Sequence, residues 1–364
     1  HTIVVGAYLD DDGGSNSGSV YVFHTSDGST YDQVAKLTAS DAADGDSFGY
    51  SVAIDGDTIV VGAPDDSSSS GSAYVFRTSD GVTYVEMAML TASDAASGDD
   101  FGISVAIACD TIVVGARKDD DGGSDSGSAY VFRTADGSTT YTQVAKLKAS
   151  DGYHYDYFGW SVAIDGNNIM VGAREDDSDR GSVYVFRTTD GGATYVQMAK
   201  LTASDAYNDD NFGWSVAMDG GVAVVGSRYD DDVGWDSGSA YVFRTTDGGA
   251  TYTQVAKLKA SDGYQYDYFG FSVAIDGSTI VVGACYDDDG GTNSGSAYVF
   301  HTTDGGATYN QVAKLTASDR YYHDEFGWSV AISGNTIVVG AIRKDSYTGA
   351  VYLFRMQDGF TVVK

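Results

Sequence analysis

The sequence predicts an all-β chain, a seven-bladed β-propeller of four-stranded antiparallel blades, and three observations predict it. A V-G-A or V-G-S glycine recurs at Gly6, Gly62, Gly115, Gly172, Gly226, Gly283 and Gly340, at intervals of 53 to 57 residues. Each interval carries four short apolar stretches that alternate with the period of two expected of strands. The 47 glycines, 27 tyrosines and single proline suit tight turns and pleated, half-buried surfaces. Four strands repeated seven times at about 50 residues is the sequence form of a propeller, here one domain over residues 1–364.

The elements follow in order. Strand a is F-G-x-S-V-A-I, as Phe48 to Ile54; strand b is T-I-V-V-G-A, Thr58 to Ala63; strand c runs from Gly71 to Phe76; strand d runs from Thr83 to Leu90. Asp55-Gly56-Asp57 joins a to b and Ser79-Asp80-Gly81 joins c to d, both tight turns whose glycine takes a positive φ. Tyr74 and Phe76 recur in every copy on one side of strand c, which places them between blades. Strands b, c and d occur seven times, the last pair being Tyr352 to Phe354 and Phe360 to Val363. Strand a occurs six times, at Ser51, Ser104, Ser161, Ser215, Ser272 and Ser329, so the innermost strand of the first blade is absent from the chain. Proteins cover such an edge. Either the remainder of a longer chain completes the blade, or a neighbouring copy donates the strand and builds a head-to-tail polymer.

Phe-Gly opening strand a and Gly-Ala closing strand b resemble the FG-GAP repeat, the blade unit of integrin α-chain heads, over essentially the whole chain. The resemblance implies a propeller serving adhesion, ligand binding or an accessory role in an enzyme. Family blades that bind Ca²⁺ carry a long D-x-[DN]-x-D-G loop between a and b. This chain has only a tight Asp-Gly turn there, as at Asp55-Gly56, Asp165-Gly166 and Asp276-Gly277, so the family's metal positions do not carry over.

Charge narrows the function. Lys and Arg number 21 against 52 Asp and Glu, a formal net charge of −31, which excludes a nucleic-acid binder that neutralises phosphate. No run of 18 apolar residues exists, so direct membrane insertion is not expected, and His1-Thr2-Ile3-Val4-Val5-Gly6 does not read as a signal peptide. Strand direction alternates within a blade, so the b-to-c and d-to-a loops emerge on one face, and most of the acids lie in those loops.

Two acid spacings are fixed. Each d-to-a loop carries a pair, Asp41/Asp46, Asp94/Asp99, Asp151/Asp156, Asp205/Asp210, Asp262/Asp267 and Asp319/Asp324. A second set stands four residues after the V-G-A glycine, at Asp10, Asp66, Asp119, Asp176, Asp230 and Asp287, followed in several blades by Asp12, Asp121, Asp232 and Asp289; the seventh blade departs to Lys344-Asp345. Clustered carboxylates beside backbone carbonyls are the oxygen-only ligand set of Ca²⁺, the expected cofactor. The same residues read equally as Asx-turns that cap strands.

A loop-borne aromatic group lies on that face: Tyr153, Tyr155, Tyr157, Trp235, Tyr264, Tyr266, Tyr268, Tyr321 and Tyr322, with Tyr207 nearby. Rings beside carboxylates suit carbohydrate or protein contact, or they shield seams between blades. No Ser/His/Asp order, zinc spacing or phosphate loop is visible, so enzymatic activity is not expected. Cys109 and Cys285 fall on opposite faces and do not bridge. The expected function is an extracellular or cell-surface adhesion and scaffold propeller, calcium-dependent, with an extracellular protein, a polysaccharide or further copies of itself as partner. The alternatives are a carbohydrate-binding module using the Tyr/Asp loops and an accessory domain of a polysaccharide-active enzyme.

Overall fold

The computed structural model describes residues 1–135 and 140–357, with the backbone of 361–363. Blade one holds β1 (Thr2–Ala7), β2 (Ser19–His24) and β3 (Asp32–Leu37); blade two β4 (Ser51–Asp55), β5 (Thr58–Ala63), β6 (Ser72–Thr78) and β7 (Tyr84–Leu90). Blade three holds β8 (Phe101–Ala108), β9 (Thr111–Ala116), β10 (Ser128–Thr134) and β11 (Tyr141–Leu147); blade four β12 (Phe158–Asp165), β13 (Asn168–Ala173), β14 (Ser182–Arg187) and β15 (Val196–Leu201). Blade five holds β16 (Phe212–Asp219), β17 (Val222–Ser227), β18 (Ser239–Arg244) and β19 (Thr253–Leu258); blade six β20 (Phe269–Asp276), β21 (Thr279–Ala284), β22 (Ser296–His301) and β23 (Asn310–Leu315). Blade seven holds β24 (Phe326–Ser333), β25 (Thr336–Ala341), β26 (Ala350–Gln357) and β27 (Thr361–Val363); Phe360, expected to open that last strand, lies outside the described residues.

The strands of each blade pair antiparallel in chain order, and the first sheet has three strands where the others have four. The fold is a seven-bladed β-propeller with the innermost strand of blade one absent. The chain divides into two compact units, His1–Val171 with Phe186–Gln197, and Gly172–Val185 with Met198–Lys364.

Alternation along the strands builds the core. Val60 and Val75 of blade two join Phe101, Tyr130 and Phe132 of blade three in one buried cluster, while Ile59, Val61, Tyr74 and Phe76 turn the other way to meet Val20 and Val22 of blade one. Phe101 meets Tyr130 and Phe132 edge-on at 5.5 and 6.0 Å, and each such ring contributes about 1.5–3 kcal/mol by burial.

The two glycines of the repeat have one physical explanation. A Cβ on Gly62 would stand 2.0 Å from the carbonyl oxygen of Gly102 in the next blade, and Gly102 itself sits at φ +95°. Ser51 of strand a donates its hydroxyl to that same carbonyl at 2.8 Å, as Ser104 does to Gly159 and Ser272 to Gly327. Phe-Gly and Gly-Ala are therefore two sides of one close backbone contact between successive blades.

Candidate functional site

The fixed acids separate into two kinds once their partners are seen. In blade three the Tyr130 hydroxyl lies 2.7 Å from Asp119 Oδ2 and 2.9 Å from Asp94 Oδ1, and Lys146 Nζ reaches Asp94, Asp119 and Asp121 at 2.7, 2.8 and 2.6 Å. Asp94 belongs to the d-to-a loop and Asp119 to the b-to-c loop, so both loop sets do share a face. Blade five repeats the arrangement with Tyr241, Lys257, Asp205, Asp230 and Asp232, and blade six with Tyr298, Lys314, Asp262, Asp287 and Asp289. Blade one has Lys36 with Asp10 and Asp12 beside Tyr21, and blade four has Lys200 with Asp176.

Burial works against each lysine's charge, and the carboxylates more than offset it, holding the Lys146, Lys257 and Lys314 ammonium groups above their ordinary value. Hydrogen bonds from Tyr21, Lys36 and Ser19 overcome desolvation and bring Asp10 down to about 2. The counter-charge of this acid set is thus mainly lysine from the A-K-L end of strand d.

Two blades vary the theme. Met89 takes the lysine's place in blade two, where Tyr74 alone bridges Asp41 and Asp66 at 2.8 and 3.1 Å. In blade seven the ammonium comes from Lys344, at the position of the missing Asp; it donates to the Asp319 carbonyl at 2.6 Å and to Asp324 Oδ2 at 3.1 Å.

The other acid of each pair closes its own loop. Asp46, Asp99, Asp156, Asp210, Asp267 and Asp324 are buried, and each accepts the backbone N–H three residues earlier, from Ala43, Ala96, Tyr153, Tyr207, Tyr264 and Tyr321. The carboxylate reaches back to the start of its own loop, as the acid of a capping box does. Desolvation, with Asp230 nearby, pushes Asp210 up to about 7, and desolvation with Asp287 nearby does the same to Asp267. Asp151 lies in the equivalent loop of blade four and is exposed. Among the described residues, no three His, Cys, Asp or Glu side chains are grouped to hold a metal ion.

The loop aromatics also divide. Tyr153, Tyr264 and Tyr321 are 69, 68 and 66% exposed, Tyr207 72% and Trp235 70%; Tyr155, Tyr266 and Tyr322 are exposed as well. Tyr157 and Tyr268 are half-buried, and Tyr268 stacks on Tyr286 at 4.9 Å and meets Tyr229 edge-on at 5.1 Å.

Tyr268 leads to a cluster that sequence reasoning missed. Three positions vary from blade to blade: the residue before Phe-Gly, the third residue of F-G-x-S, and the residue after Gly-Ala. In blades five and six they are Asn211, Trp214, Arg228, Tyr268, Phe271 and Cys285. First strands of successive blades pack on one another, β16 on β20 and β20 on β24, which brings these positions together. The Arg228 guanidinium lies 3.3 Å from the Trp214 ring centre and 4.1 Å from that of Tyr229, whose hydroxyl accepts from Nη2 at 2.6 Å. Its Nε is buried without an acceptor among the described residues, and desolvation lowers its affinity for the proton. Arg174 approaches the same indole at 5.0 Å and pairs with Glu175 at 2.5 Å. The residue before Phe-Gly adopts a left-handed backbone in every copy, with φ between 52° and 57° from Ser47 to Glu325. Glu325 is fully buried; Arg343 Nη1 stands 2.8 Å from its Oε1, out of line for a hydrogen bond, and its Oε2 has no hydrogen-bond partner among the described residues. Repeat alignment within the chain, searching for positions that break the repeat, is the signal that finds this cluster.

No protein of curated function matches the sequence. Among solved structures, a periplasmic gluconolactonase of Pseudomonas aeruginosa, PpgL, matches over 100% of this chain and 94% of that one, at 16% identity and a TM-score of 0.63. At that identity the likeness is one of fold. It corrects the expectation that this chain is not an enzyme: the propeller is a fold that an enzyme uses, and the lack of triad or zinc motifs does not argue otherwise. No helix among the described residues is long and apolar enough to cross a membrane. The FG-GAP repeat matches at residues 1–23, 31–76, 84–132, 141–186, 195–243, 252–300 and 309–354, the segments in which the glycine contact, the Phe–Tyr core and the Tyr–Asp pairs recur. On that coverage the chain belongs to the FG-GAP repeat family.

Proposed function

We propose that this protein is an exported adhesion or scaffold propeller that binds carbohydrate through the aromatic residues of its d-to-a and b-to-c loops. One observation carries the reading. The loop position that donates its N–H to the capping Asp holds Ala43 and Ala96 in two blades and Tyr153, Tyr207, Tyr264 and Tyr321 in four, with the same hydrogen bond each time. The fold therefore has no need of a ring there. Four tyrosines left 66–72% exposed at that position argue against seam shielding and for a surface that meets a ligand. Rings that present a flat apolar face beside carboxylates, which accept hydroxyl protons, suit sugar rings in particular.

The Ca²⁺ expected from the sequence enters this reading at the capping acids, since the other set is engaged by lysine in five of the blades. Burial, with Asp230 and Asp287 close by, keeps the proton affinities of Asp210 and Asp267 raised, and in blade seven a lysine ammonium does lie against the equivalent Asp324. Such a cation would stiffen the loops that carry the tyrosines.

A glycan array with the wild-type protein and the Tyr207→Ala/Tyr264→Ala/Tyr321→Ala variant tests the reading. Alanine is the residue already present at this position in two blades, so the thermal midpoint should hold while glycan binding falls at least tenfold. Equal binding by the variant, or no glycan bound by either protein, would overturn it.

A further inference from the structure

Arg228 is distinguished from the other inner arginines by what faces it. In blade three the residue before Phe-Gly is Asp100, and Arg117 Nε donates to its Oδ2 at 2.7 Å while stacking 4.7 Å from the Trp160 ring centre. Blade five keeps the arginine, as Arg228, which stacks on Trp214 of its own blade while Phe271 stands where Trp160 does for Arg117, but the acid becomes Asn211. Arg174 retains Glu175 and Arg343 retains Glu325. Among the described residues Arg228 alone of these four has no carboxylate within ion-pair distance.

Asp236 acts on it only from beyond that distance, and a half-buried guanidinium with no carboxylate in contact is costly, a cost that a ligand anion would relieve. The planar fork of Arg fits a carboxylate through two parallel N–H bonds, and the Nε–H of Arg228 has no acceptor among the described residues. Around it stand Trp214, Tyr229, Tyr268 and Phe271, of which Phe271 is 5.7 Å from the guanidinium carbon and continues towards Trp328, 4.6 Å from its own ring. Rings on several sides of one cation form a setting for a sugar ring that carries an acid group. The cluster also joins the exposed loop: Tyr229 N–H donates to the Asp210 carbonyl at 3.4 Å, at the base of the loop that presents Tyr207.

We propose that Arg228 binds the carboxylate of a uronic acid, so that the ligand of this protein is an acidic glycan. The proposal rests on the carbohydrate-binding reading above and narrows it. The ring of the acidic sugar packs against Trp214 and Phe271, and the loop tyrosines receive the sugars that follow. Long-range repulsion from the acidic surface is screened beyond about 8 Å at physiological ionic strength, so the contact is decided locally.

The test is calorimetric titration at 0.15 M salt with a galacturonic acid trisaccharide, its methyl ester, a neutral galactose trisaccharide, and acetate alone. The acid should bind at least tenfold more tightly than the ester or the neutral sugar, with acetate too weak to measure. A charge-assisted hydrogen bond of about 1.5–3 kcal/mol corresponds to a ten- to hundredfold loss in Arg228→Gln. Because that variant can lose packing on Trp214, Asn211→Asp is the decisive partner. It installs the acid that Asp100 supplies in blade three, keeps the arginine in place, and should remove the preference for the acid while the thermal midpoint holds or rises. Acid and neutral sugars bound alike, with Asn211→Asp silent, would overturn this proposal and leave carbohydrate binding intact. Acetate binding as tightly as the trisaccharide would overturn it in favour of a simple anion site. Failure of every sugar to bind would overturn both readings.

Discussion

Removing the ammonium of Lys257 is the sharpest test of what the repeated acids do. Lys257 Nζ stands 2.7, 2.9 and 2.6 Å from Asp205, Asp230 and Asp232, and its side chain is 15% exposed against 44, 5 and 34% for theirs. Lys257→Met leaves a thioether of similar length, the side chain that Met89 already places in blade two. The contacts to exposed Asp205 and half-exposed Asp232 are worth less than about 1 kcal/mol each. Asp230 is different, because breaking a buried pair strands a charge at about 3–5 kcal/mol. Tyr241 and Ser239 keep hydrogen bonds to Asp230 at 2.6 and 3.0 Å, which moves the expectation to the lower end, about 3 kcal/mol in all. Urea unfolding followed by tryptophan fluorescence measures it. Asp230→Asn in the same chain removes the stranded charge, so the double variant should recover at least half of the loss. A loss below about 1 kcal/mol, or additive single and double variants, would refute the reasoning that lysine is the resident cation of these acids. Should millimolar Ca²⁺ stabilise Lys257→Met and wild type equally, the vacated acids would likewise not be the metal site.

Further outcomes follow from the same geometry. Met89→Lys adds an ammonium between Asp41 and Asp66 and should raise stability by about 1 kcal/mol in the same urea assay. Gly62→Ala drives a methyl group into the Gly102 carbonyl and should cost several kcal/mol or abolish soluble expression, whereas Gly56→Ala, whose Cβ meets nothing within 4 Å, should cost only about 1 kcal/mol for its positive φ. Asp210 and Asp267 titrate near 7 in the folded protein against 3.8 unfolded, so the folded state holds their protons longer. Their contribution is fully present below about pH 4 and is lost as pH rises through 7; the urea midpoint should fall between pH 5.5 and 8, and Asp210→Asn/Asp267→Asn should flatten that fall. If those carboxyls take Ca²⁺, millimolar Ca²⁺ raises the thermal midpoint at pH 8 beyond an ionic-strength control, and the same double variant removes the rise; no rise in wild type would sink the calcium proposal.

The blade order, the three-stranded first blade and the shared loop face were all legible in the sequence, because each is a pattern that repetition makes louder. A Cβ clash at Gly62, or a ring wedged between sheets at Tyr74, recurs in every copy and leaves the same letter at the same place. The partners of the acids were harder to read. Lys146 is 27 residues from Asp119 and 52 from Asp94, and nothing in a run such as A-K-L tells that the side chain reaches two loops. The apparent calcium motif and the lysine-clamped tyrosine share their acids, and only distance separates them. Even so, one clue was available: where the seventh blade lacks the fixed Asp, the letter that replaces it is Lys344, a charge reversal that makes sense only if those positions exchange an ion pair.

The inner cluster escaped for the opposite reason. Repetition was the guide to the fold, and a ligand site in a propeller of near-identical blades has to be built where the blades differ, since a single asymmetric ligand cannot use seven equal surfaces. The residue before Phe-Gly holds a strained left-handed backbone in every copy, a cost of order 1 kcal/mol for a side chain with a Cβ. Glycine would relieve that strain, yet the position carries Ser47, Asp100, Tyr157, Asn211, Tyr268 and Glu325, five kinds of side chain over six copies, none of them glycine. Selection for folding alone would have filled it as uniformly as the neighbouring Phe-Gly. A position that keeps its strain and varies its chemistry is one whose side chains are used, and Asn211, by withholding the acid that Arg228 lacks, is where that use can be measured.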